Sequence, residues 1–184
     1  MFMIKGIDDR MMTSLNKDTR AGFATLIGAP NAGKSTLMNA MVGQKVSIVT
    51  PKVQTTRSRI RGIAMQDEAQ IIFVDTPGIF SPKRRLDRAM VNAAWQGAAD
   101  NDVLLLLNDC ARVSLDDETK MIIAKLVQQE QDAALILNKI DLATPEQVLV
   151  RTAELSTLFS FEKVFMISVH FGARDAKRSV LKNT

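Results

Sequence analysis

Short apolar runs of strand length alternate along this chain with segments whose apolar residues recur at helical spacing. Apolar runs of this length between polar and turn residues are typical of buried strands. The predicted buried strands are residues 23–27, 70–74, 103–107, 134–137 and 164–167. Residues 58–63 instead alternate polar and apolar side chains, so we expect an antiparallel edge strand there, joined to the strand at 70–74 through a turn over residues 65–68.

The segments between the strands carry the signals of helix starts and ends. One helix is predicted over residues 34–42 and stops at Gly43, and a second is predicted over residues 86–97. A third helix follows a predicted Ser114 cap, and a fourth begins behind a Thr144 cap. The buried face of the third helix is predicted to carry Leu115, Thr119, Ile122 and Leu126. Strands that alternate with helices predict an α/β fold with an open, mostly parallel sheet covered by helices on both faces.

Length and composition fit a single ordinary domain, with 184 residues, 46% hydrophobic and 24% charged. The longest aliphatic run, residues 103–107, is far shorter than the roughly 20 residues of a membrane span. The single cysteine, Cys110, cannot form an internal disulfide and indicates a reducing, cytoplasmic location. Charged residues interrupt any signal-like apolar core in residues 1–20, and we expect these residues to form a flexible N-terminal segment.

The net charge of +4 is mild, and many basic residues of the chain cluster within residues 52–61 and 83–88. Such clusters can contact an anionic surface such as RNA. No aromatic residue lies between these basic positions, which favours two solvated faces over a nucleic-acid interface.

The stretch "GAPNAGKST" follows the first predicted strand and opens the first predicted helix. From Gly28 to Ser35 it fits the pattern G-x-x-x-x-G-K-[ST], in which backbone N–H groups cradle phosphates. In that motif the lysine, here Lys34, reaches the outer phosphate oxygens, and the serine binds Mg²⁺. Because ligands of such sheets bind at the carboxyl ends of the strands, the sequence predicts a phosphate site at this edge.

Two further motifs end the third and fifth predicted strands. "DTPG" places Asp75 at a strand end, where it can hold Mg²⁺ through water, and Gly78 where its N–H can approach a terminal phosphate. "NKID" places Asp141 where its carboxylate can accept hydrogen bonds from the ring N–H and the exocyclic amine of guanine. Adenine lacks this donor pair, so a site that relies on these two hydrogen bonds rejects adenine strongly. Lys139 can lie along the base and Asn138 can tie this loop to the phosphate loop, which predicts a guanine-nucleotide site.

Together these motifs resemble the Era family of bacterial GTPases. The resemblance rests on G-x-P-N-x-G-K-S-T at residues 28–36, "VSIVTPKVQTTR" at 46–57, "DTPGI", "NKID" and an "ISV..G" ending, and it runs from about residue 20 to Gly172. It implies a three-layer P-loop NTPase fold of the Ras-like G-domain type, with a six-stranded, mostly parallel sheet. It also implies a translation-factor-type GTPase that acts as a slow switch in assembly of the small ribosomal subunit.

The resemblance implies a role for each motif residue. Lys34, Thr56 and Gly78 would serve catalysis. Mg²⁺ would be held by Ser35, Thr56 and Asp75, with Thr55 as the alternative to Thr56. Asp75 and Gly78 would sense the third phosphate of GTP, which is absent from GDP. The predicted nucleotide-binding residues are Gly28, Ala29, Pro30, Asn31, Ala32, Gly33, Lys34, Ser35, Thr36, Thr55, Thr56, Asp75, Thr76, Pro77, Gly78, Ile79, Asn138, Lys139, Asp141, Ser168 and Val169.

The resemblance also implies partners, namely guanine nucleotide, the small ribosomal subunit with its 16S rRNA, and peripheral association with a membrane, for a monomeric protein. Such proteins normally carry a carboxyl-terminal KH domain that grips ribosomal RNA. Only 12 residues follow Gly172, so we expect residues 21–184 to be a GTPase domain with a truncated final helix and no KH domain. Without a KH domain we expect weaker binding to ribosomal RNA.

The chain departs from related GTPases at Ile79 and Val169, whereas Asn31 is shared with some of them. Ras-type GTPases carry a water-orienting glutamine directly after D-x-x-G, whereas this chain has Ile79, which predicts slow intrinsic hydrolysis. Related GTPases with an asparagine at the position of Asn31 bind K⁺ beside the phosphates, and we hypothesise the same here. Val169 stands where the family usually has alanine, and the expected contact there is a backbone N–H.

The leading interpretation is an enzyme that converts GTP and water into GDP and phosphate. The alternative is a non-hydrolysing or degenerate guanine-nucleotide binding module without RNA binding. An RNA-binding protein that relies on its basic face is a third hypothesis, and the NKID motif speaks against an ATP-dependent kinase.

Overall fold

The computed structural model describes residues 20–45, 60–66, 69–76 and 102–169, and these form a sheet with helices on both faces. Its strands are β1 (Arg20–Gly28), β2 (Ile60–Gln66), β3 (Ala69–Asp75), β4 (Val103–Asp109), β5 (Ala134–Asn138) and β6 (Val164–Met166). The six strands lie in the order β2-β3-β1-β4-β5-β6. Strand β2 runs antiparallel to β3, and all other neighbours are parallel. The predicted α/β fold with a six-stranded, mostly parallel sheet is therefore confirmed.

Three α-helices and one short 3₁₀ helix connect the strands of the described part. They are α1 (Lys34–Val42), α2 (Asp117–Gln128), α3 (Pro145–Leu158) and the 3₁₀ helix Ile140–Leu142. Helix α1 has the predicted bounds and ends at Gly43, whose φ of 78° is left-handed. Helix α3 begins with the predicted cap, in which Thr144 and Gln147 bond each other's backbone N–H groups.

The predicted cap of the third helix was wrong by two residues. The cap of α2 is Asp116, whose Oδ1 accepts a hydrogen bond of 2.7 Å from the backbone N–H of Thr119, and not Ser114. Aspartate and serine are similarly good caps, so the local sequence offers both. Leu115 is buried just before the helix begins, which places Asp116 rather than Ser114 at its start.

The core is divided by the sheet because successive side chains of a strand point to opposite faces. Leu104 and Leu106 of β4 pack with α2 and α3 on one face, whereas Leu105 and Leu107 pack on the face that carries α1. The predicted buried face of the third helix is confirmed, since Leu115, Thr119, Ile122 and Leu126 are all buried.

Both outer strands differ from the predictions. Residues 164–167 were predicted as a buried strand, but Val164 and Met166 of β6 are each 40% exposed, because within the described residues β6 has a neighbour on one side only. At the other edge the predicted turn over residues 65–68 was too long. Strand β2 continues through Met65 and pairs Gln66 with Ala69, which leaves residues 67 and 68 between the strands.

Several predictions lie outside the described residues, namely most of the N-terminal segment, the helix over 86–97, both basic clusters apart from Arg61, and the final helix. In the described ranges no helix is long and apolar enough to cross a bilayer. The carboxyl ends of β1, β3, β4 and β5 meet at one edge of the sheet, and this edge carries the candidate site.

Candidate functional site

The loop between β1 and α1 depends on two glycines. Gly28 has a φ of 150°, and a Cβ there would lie 2.5 Å from the carbonyl oxygen of Leu107 on β4. Gly33, the cap of α1, has a φ of 106°, and a Cβ there would lie 2.2 Å from Nδ2 of Asn138. Neither position has room for a side chain, so the loop can follow this path only with glycine. The backbone of the loop is thereby held against the ends of β4 and β5.

Lys34 is buried beneath this loop. Its Nζ donates hydrogen bonds to the carbonyl oxygens of Gly28 at 3.0 Å and Ala29 at 2.9 Å. Burial lowers the pKa of Lys34 from 10.5 to about 8, against the opposing effect of the nearby Asp75 carboxylate. A lysine that is held by carbonyl oxygens and stripped of water is suited to exchange those partners for an anion such as phosphate.

Ser35 and Asp75 meet at the ends of α1 and β3. The Ser35 hydroxyl donates a 2.6 Å hydrogen bond to Oδ2 of Asp75, which is fully buried. The next residue, Thr76, donates to the carbonyl oxygen of Leu26 at 2.7 Å and so holds the end of β3 against β1. A hydroxyl beside a single carboxylate is the oxygen donor set that Mg²⁺ accepts when phosphates and water complete its shell. The residues present therefore fit this ion.

The loop after β5 is tied to the phosphate loop by Asn138. Its Nδ2 donates to the carbonyl oxygen of Ala32 at 2.9 Å, and its Oδ1 accepts from the backbone N–H of Lys139 at 2.8 Å. Lys139 has a left-handed φ of 60°, which turns the chain sharply after the strand. Its Nζ donates to the carbonyl oxygen of Asn31 at 3.0 Å. The predicted connection between the two loops through Asn138 is thus present, and Lys139 adds a second connection.

Asp141 and Ser168 come together beyond this loop, although 27 positions separate them in the sequence. The Ser168 hydroxyl donates to Oδ1 of Asp141, and the N–H of Ile140 donates to the carbonyl oxygen of Ile167 at 3.4 Å. The first contact fixes the carboxylate while the residue stays exposed at the surface. Val169 follows and is buried. The two elements predicted to hold a base are therefore adjacent.

The structure brings a further group of residues to the site that the sequence reasoning missed. Asp109 ends β4 and accepts a 2.6 Å contact from Nζ of Lys139. Arg112 donates to the carbonyl oxygen of Pro30 at 3.1 Å. Arg151 of α3, which is buried, donates to Oδ1 of Asn108 at 3.0 Å and to the carbonyl oxygen of Arg112 at 3.0 Å. Only Asp109 carried a usable signal, because it follows a buried strand at the edge where ligands bind.

The predicted site residues within the described ranges all lie at this edge, at the last residues of β1, β3 and β5, in the segments that follow β1, β3, β5 and β6, or in the first turn of α1. Thr55, Thr56, Pro77, Gly78 and Ile79 lie outside the described residues. Among those that are described, no three His, Cys, Asp or Glu side chains form a metal-binding group. A Mg²⁺ ion shared with phosphates does not need such a group.

Comparison with known proteins identifies relatives for most of the chain. Residues 23–139 match the family model described as "50S ribosome-binding GTPase". The chain is 54% identical to GTPase Era of Dinoroseobacter shibae over 164 residues, which cover 88% of this chain and 53% of that protein. It is 54% identical to GTPase Era of Bradyrhizobium diazoefficiens over 154 residues, or 84% of this chain and 50% of that protein. The chain thus spans about half the length of the curated relatives that it matches.

Solved structures agree with these matches. Era in complex with MgGDPNP and nucleotides 1506–1542 of 16S ribosomal RNA is similar, with a TM-score of 0.74 and 34% identity over 82% of this chain and 51% of that chain. A single-residue variant of Aquifex aeolicus Era bound to GDP·AlF₄⁻ matches with a TM-score of 0.73 and 34% identity over 81% of this chain and 51% of that chain.

Proposed function

This chain belongs to the family of GTPases that the 50S ribosome-binding GTPase model describes, and we propose that it binds guanine nucleotide and hydrolyses GTP to GDP and phosphate. One observation carries the proposal. Lys34 and Ser35 of the phosphate loop lie at the same sheet edge as Asp75, and hydrogen bonds join that loop to the loop that carries Asp141. These contacts support the proposal because they hold the proposed phosphate-binding and base-binding loops in one arrangement, as a nucleotide would require.

In the proposed complex the phosphates lie over the phosphate loop. Lys34 exchanges its bonds to Gly28 and Ala29 for phosphate oxygens, and the N-terminus of α1 adds backbone N–H groups and a favourable dipole. Ser35 and Asp75, with Thr56 from outside the described residues, would hold Mg²⁺. When bound, this ion neutralises charge on the terminal phosphates. Asp75 and Gly78 are the proposed sensors of the third phosphate.

At the base end, Asp141 accepts two hydrogen bonds from guanine. Ser168 fixes this carboxylate, and the backbone of Val169 is proposed to support the ring. Lys139 extends from the base loop to the phosphate loop, so its stem can lie along one face of the base. An adenine ring has no donor pair for Asp141, and we therefore propose a strong preference for guanine over adenine.

In the proposed reaction a water oxygen bonds to the terminal phosphorus while the bond to the bridging oxygen breaks, and GDP leaves with the electron pair. The hydrogens of the water pass to the phosphoryl oxygens and to solvent, so the second product is inorganic phosphate. Lys34 stabilises the negative charge on the phosphoryl oxygens during this transfer. Because Ile79 cannot orient the attacking water, we propose that intrinsic hydrolysis is slow. K⁺ bound near Asn31 is proposed to raise the rate, and equal rates in KCl and NaCl would contradict this.

For the whole protein we propose a role of a monomeric, cytoplasmic switch in small-subunit assembly. The support is the relative solved with a 16S rRNA fragment, which is bound there by a chain about twice the length of the matched region. We further propose that residues 21–184 form the GTPase domain, and that contact with a membrane surface is peripheral. A measurable test is filter binding to small-subunit RNA, whose salt dependence separates a specific site from non-specific attraction.

The experiment that tests the central proposal is titration of a fluorescent guanine nucleotide with Mg²⁺, competed with GTP, GDP and ATP, followed by single-turnover hydrolysis. Guanine-specific binding with slow release of phosphate is the expected result. Binding without release would support the alternative of a non-hydrolysing module, which the comparisons do not favour. A folded protein that does not bind would overturn the proposal.

A further inference from the structure

Lys139 is held by an acidic side chain that none of the sequence motifs contains. Its Nζ lies 2.6 Å from Oδ2 of Asp109 and 3.0 Å from the carbonyl oxygen of Asn31. The Asp109 side chain is 10% exposed and the Lys139 side chain 32% exposed, so water screens this pair only in part. The other oxygen of Asp109 accepts from the N–H of Ala111 at 3.0 Å, which fixes the direction of the carboxylate.

A second cation reaches the phosphate loop from the same segment. Arg112 donates to the carbonyl oxygen of Pro30 at 3.1 Å, one residue before the carbonyl that Lys139 holds. Arg112 is also paired with Asp116, the cap of α2, at 3.2 Å. The phosphate loop is thus attached through two adjacent carbonyl groups to residues that follow β4.

A buried arginine of α3 holds the backbone of residues 109–112. Arg151 of α3 donates to the carbonyl oxygens of Asp109 at 3.3 Å and Arg112 at 3.0 Å. It is 4% exposed, and its charge is balanced by Glu154 at 3.4 Å. The backbone of both residues is therefore anchored to helix α3.

We infer that Asp109 and Arg112 are positioning residues of the nucleotide site, Asp109 through Lys139 and Arg112 through Pro30. Asp109 sets the place of the Lys139 ammonium, so that its stem extends between the base loop and the phosphate loop before the nucleotide arrives. Without the carboxylate, Lys139 has to be ordered at the time of binding, which costs affinity. The inference rests on the proposed function, because it concerns the same site.

The test is a double-mutant cycle in GDP affinity with Asp109→Asn, Lys139→Met and the double variant. Asparagine keeps the size of the side chain and an acceptor for Ala111, but it removes the charge that faces Lys139. Each single variant is expected to raise the Kd for GDP about tenfold, mostly through faster dissociation. In the Lys139→Met background the Asp109→Asn change is expected to add less than about twofold, because it acts through Lys139.

Asp102→Asn is the matched control. Asp102 stands just before the other end of β4, where Oδ2 accepts from the N–H of Phe23 at 2.8 Å, so its replacement tests charge loss at the same strand away from the site. GDP affinity is expected to stay unchanged in this variant. Arg112→Met tests the second attachment without Asp109, and it is expected to raise the dissociation rate of GDP about threefold.

The outcomes separate the inference from the proposed function. If the unaltered chain does not bind GDP, the proposed function fails. If it binds GDP but the effects of Asp109→Asn and Lys139→Met simply add, Asp109 does not act through Lys139 and the inference is overturned. An unchanged GDP affinity in both folded Asp109→Asn and Arg112→Met has the same consequence.

Discussion

Among the described residues, Lys34 has the pKa that its surroundings lower most. Its pKa of about 8 lies below the ordinary value of 10.5, so between these limits the folded chain is neutral at Lys34 while the unfolded chain is charged. The unfolded state then binds more protons, and the free energy of unfolding rises with pH in this window. Below pH 8 both states are charged and the cost of burying the ammonium is present in full.

We expect Lys34 to take up a proton when guanine nucleotide binds at pH 8.5 to 9. The phosphates bring negative charge to Lys34 and raise its pKa, so the affinity for GDP falls as the pH increases above about 8. Calorimetric titration in two buffers of different ionisation enthalpy measures this uptake. Replacement of the exposed Lys120 by methionine is the control and leaves the uptake unchanged. Binding without proton uptake would contradict the prediction, which requires both a lowered pKa in the free chain and phosphate contact at Lys34.

The same group can be followed without nucleotide through denaturant unfolding between pH 8 and 9. Stability is expected to rise with pH in the unaltered chain and to stay flat in Lys34→Met. The window ends at pH 9 because burial raises the pKa of the Cys110 thiol from 9.0 to about 11. Above pH 9 the unfolded thiol loses its proton first, which lowers stability with pH and opposes the effect of Lys34.

Gly33 supports a prediction about shape rather than charge. Gly33→Ala places a methyl group in a left-handed residue and 2.2 Å from Nδ2 of Asn138, so both the loop and its link to the base loop must move. We expect the free energy of unfolding to fall by about 2 kcal/mol and GDP affinity to fall at least tenfold, or about 1.4 kcal/mol. Gly22→Ala on the preceding strand is the control, since its Cβ would meet only an ordinary contact at 3.5 Å. Equal behaviour of the two variants would contradict the prediction.

At the scale of one element, the start of α2 depends on a single carboxylate. Oδ1 of Asp116 accepts from both the N–H and the hydroxyl of Thr119, at 2.7 and 2.8 Å. Asp116→Ala is expected to lower the free energy of unfolding by about 1–2 kcal/mol in chemical denaturation. Asp117→Ala removes a neighbouring charge from a side chain that is 98% exposed, and it is expected to change stability by less than about 0.5 kcal/mol. If Ser114 were the cap instead, Ser114→Ala would give the larger loss.

Elements whose signals are local were predictable, and those decided by distant neighbours were not. The cap at Thr144 and the end of α1 at Gly43 follow from residues a few positions apart, and both are present. The exposure of β6 depends on which strand lies beside it, which its own apolar residues do not reveal. Likewise the phosphate and base motifs were readable as patterns, whereas Arg112 and Arg151 reach the site through contacts 82 and 42 positions away.

At the scale of the whole molecule, the candidate site lies where the sheet is assembled from distant parts of the chain. The phosphate loop follows the central strand β1, Asp75 ends β3 on one side of it, and Asp141 and Ser168 follow β5 and β6 on the other side. A nucleotide that contacts all of these residues would join the two halves of the sheet across β1. The free energy of binding would then raise the free energy of unfolding of the entire domain and not only the stability of one loop.

We therefore expect a large thermal shift with guanine nucleotide. At a free GDP concentration of about 100 times its Kd, with Mg²⁺, binding adds about 2.7 kcal/mol to the free energy of unfolding. For a domain of this size that corresponds to a rise in Tm of about 5–10 °C in differential scanning calorimetry. ATP at the same concentration is expected to give no shift, because Asp141 finds no donor pair on adenine. Asp141→Asn provides the matched control, since it keeps the phosphate loop and Ser168 but should lose most of the GDP shift. An equal shift with ATP would mean that the phosphates alone hold the ligand, and the base-binding half of the proposed site would be wrong.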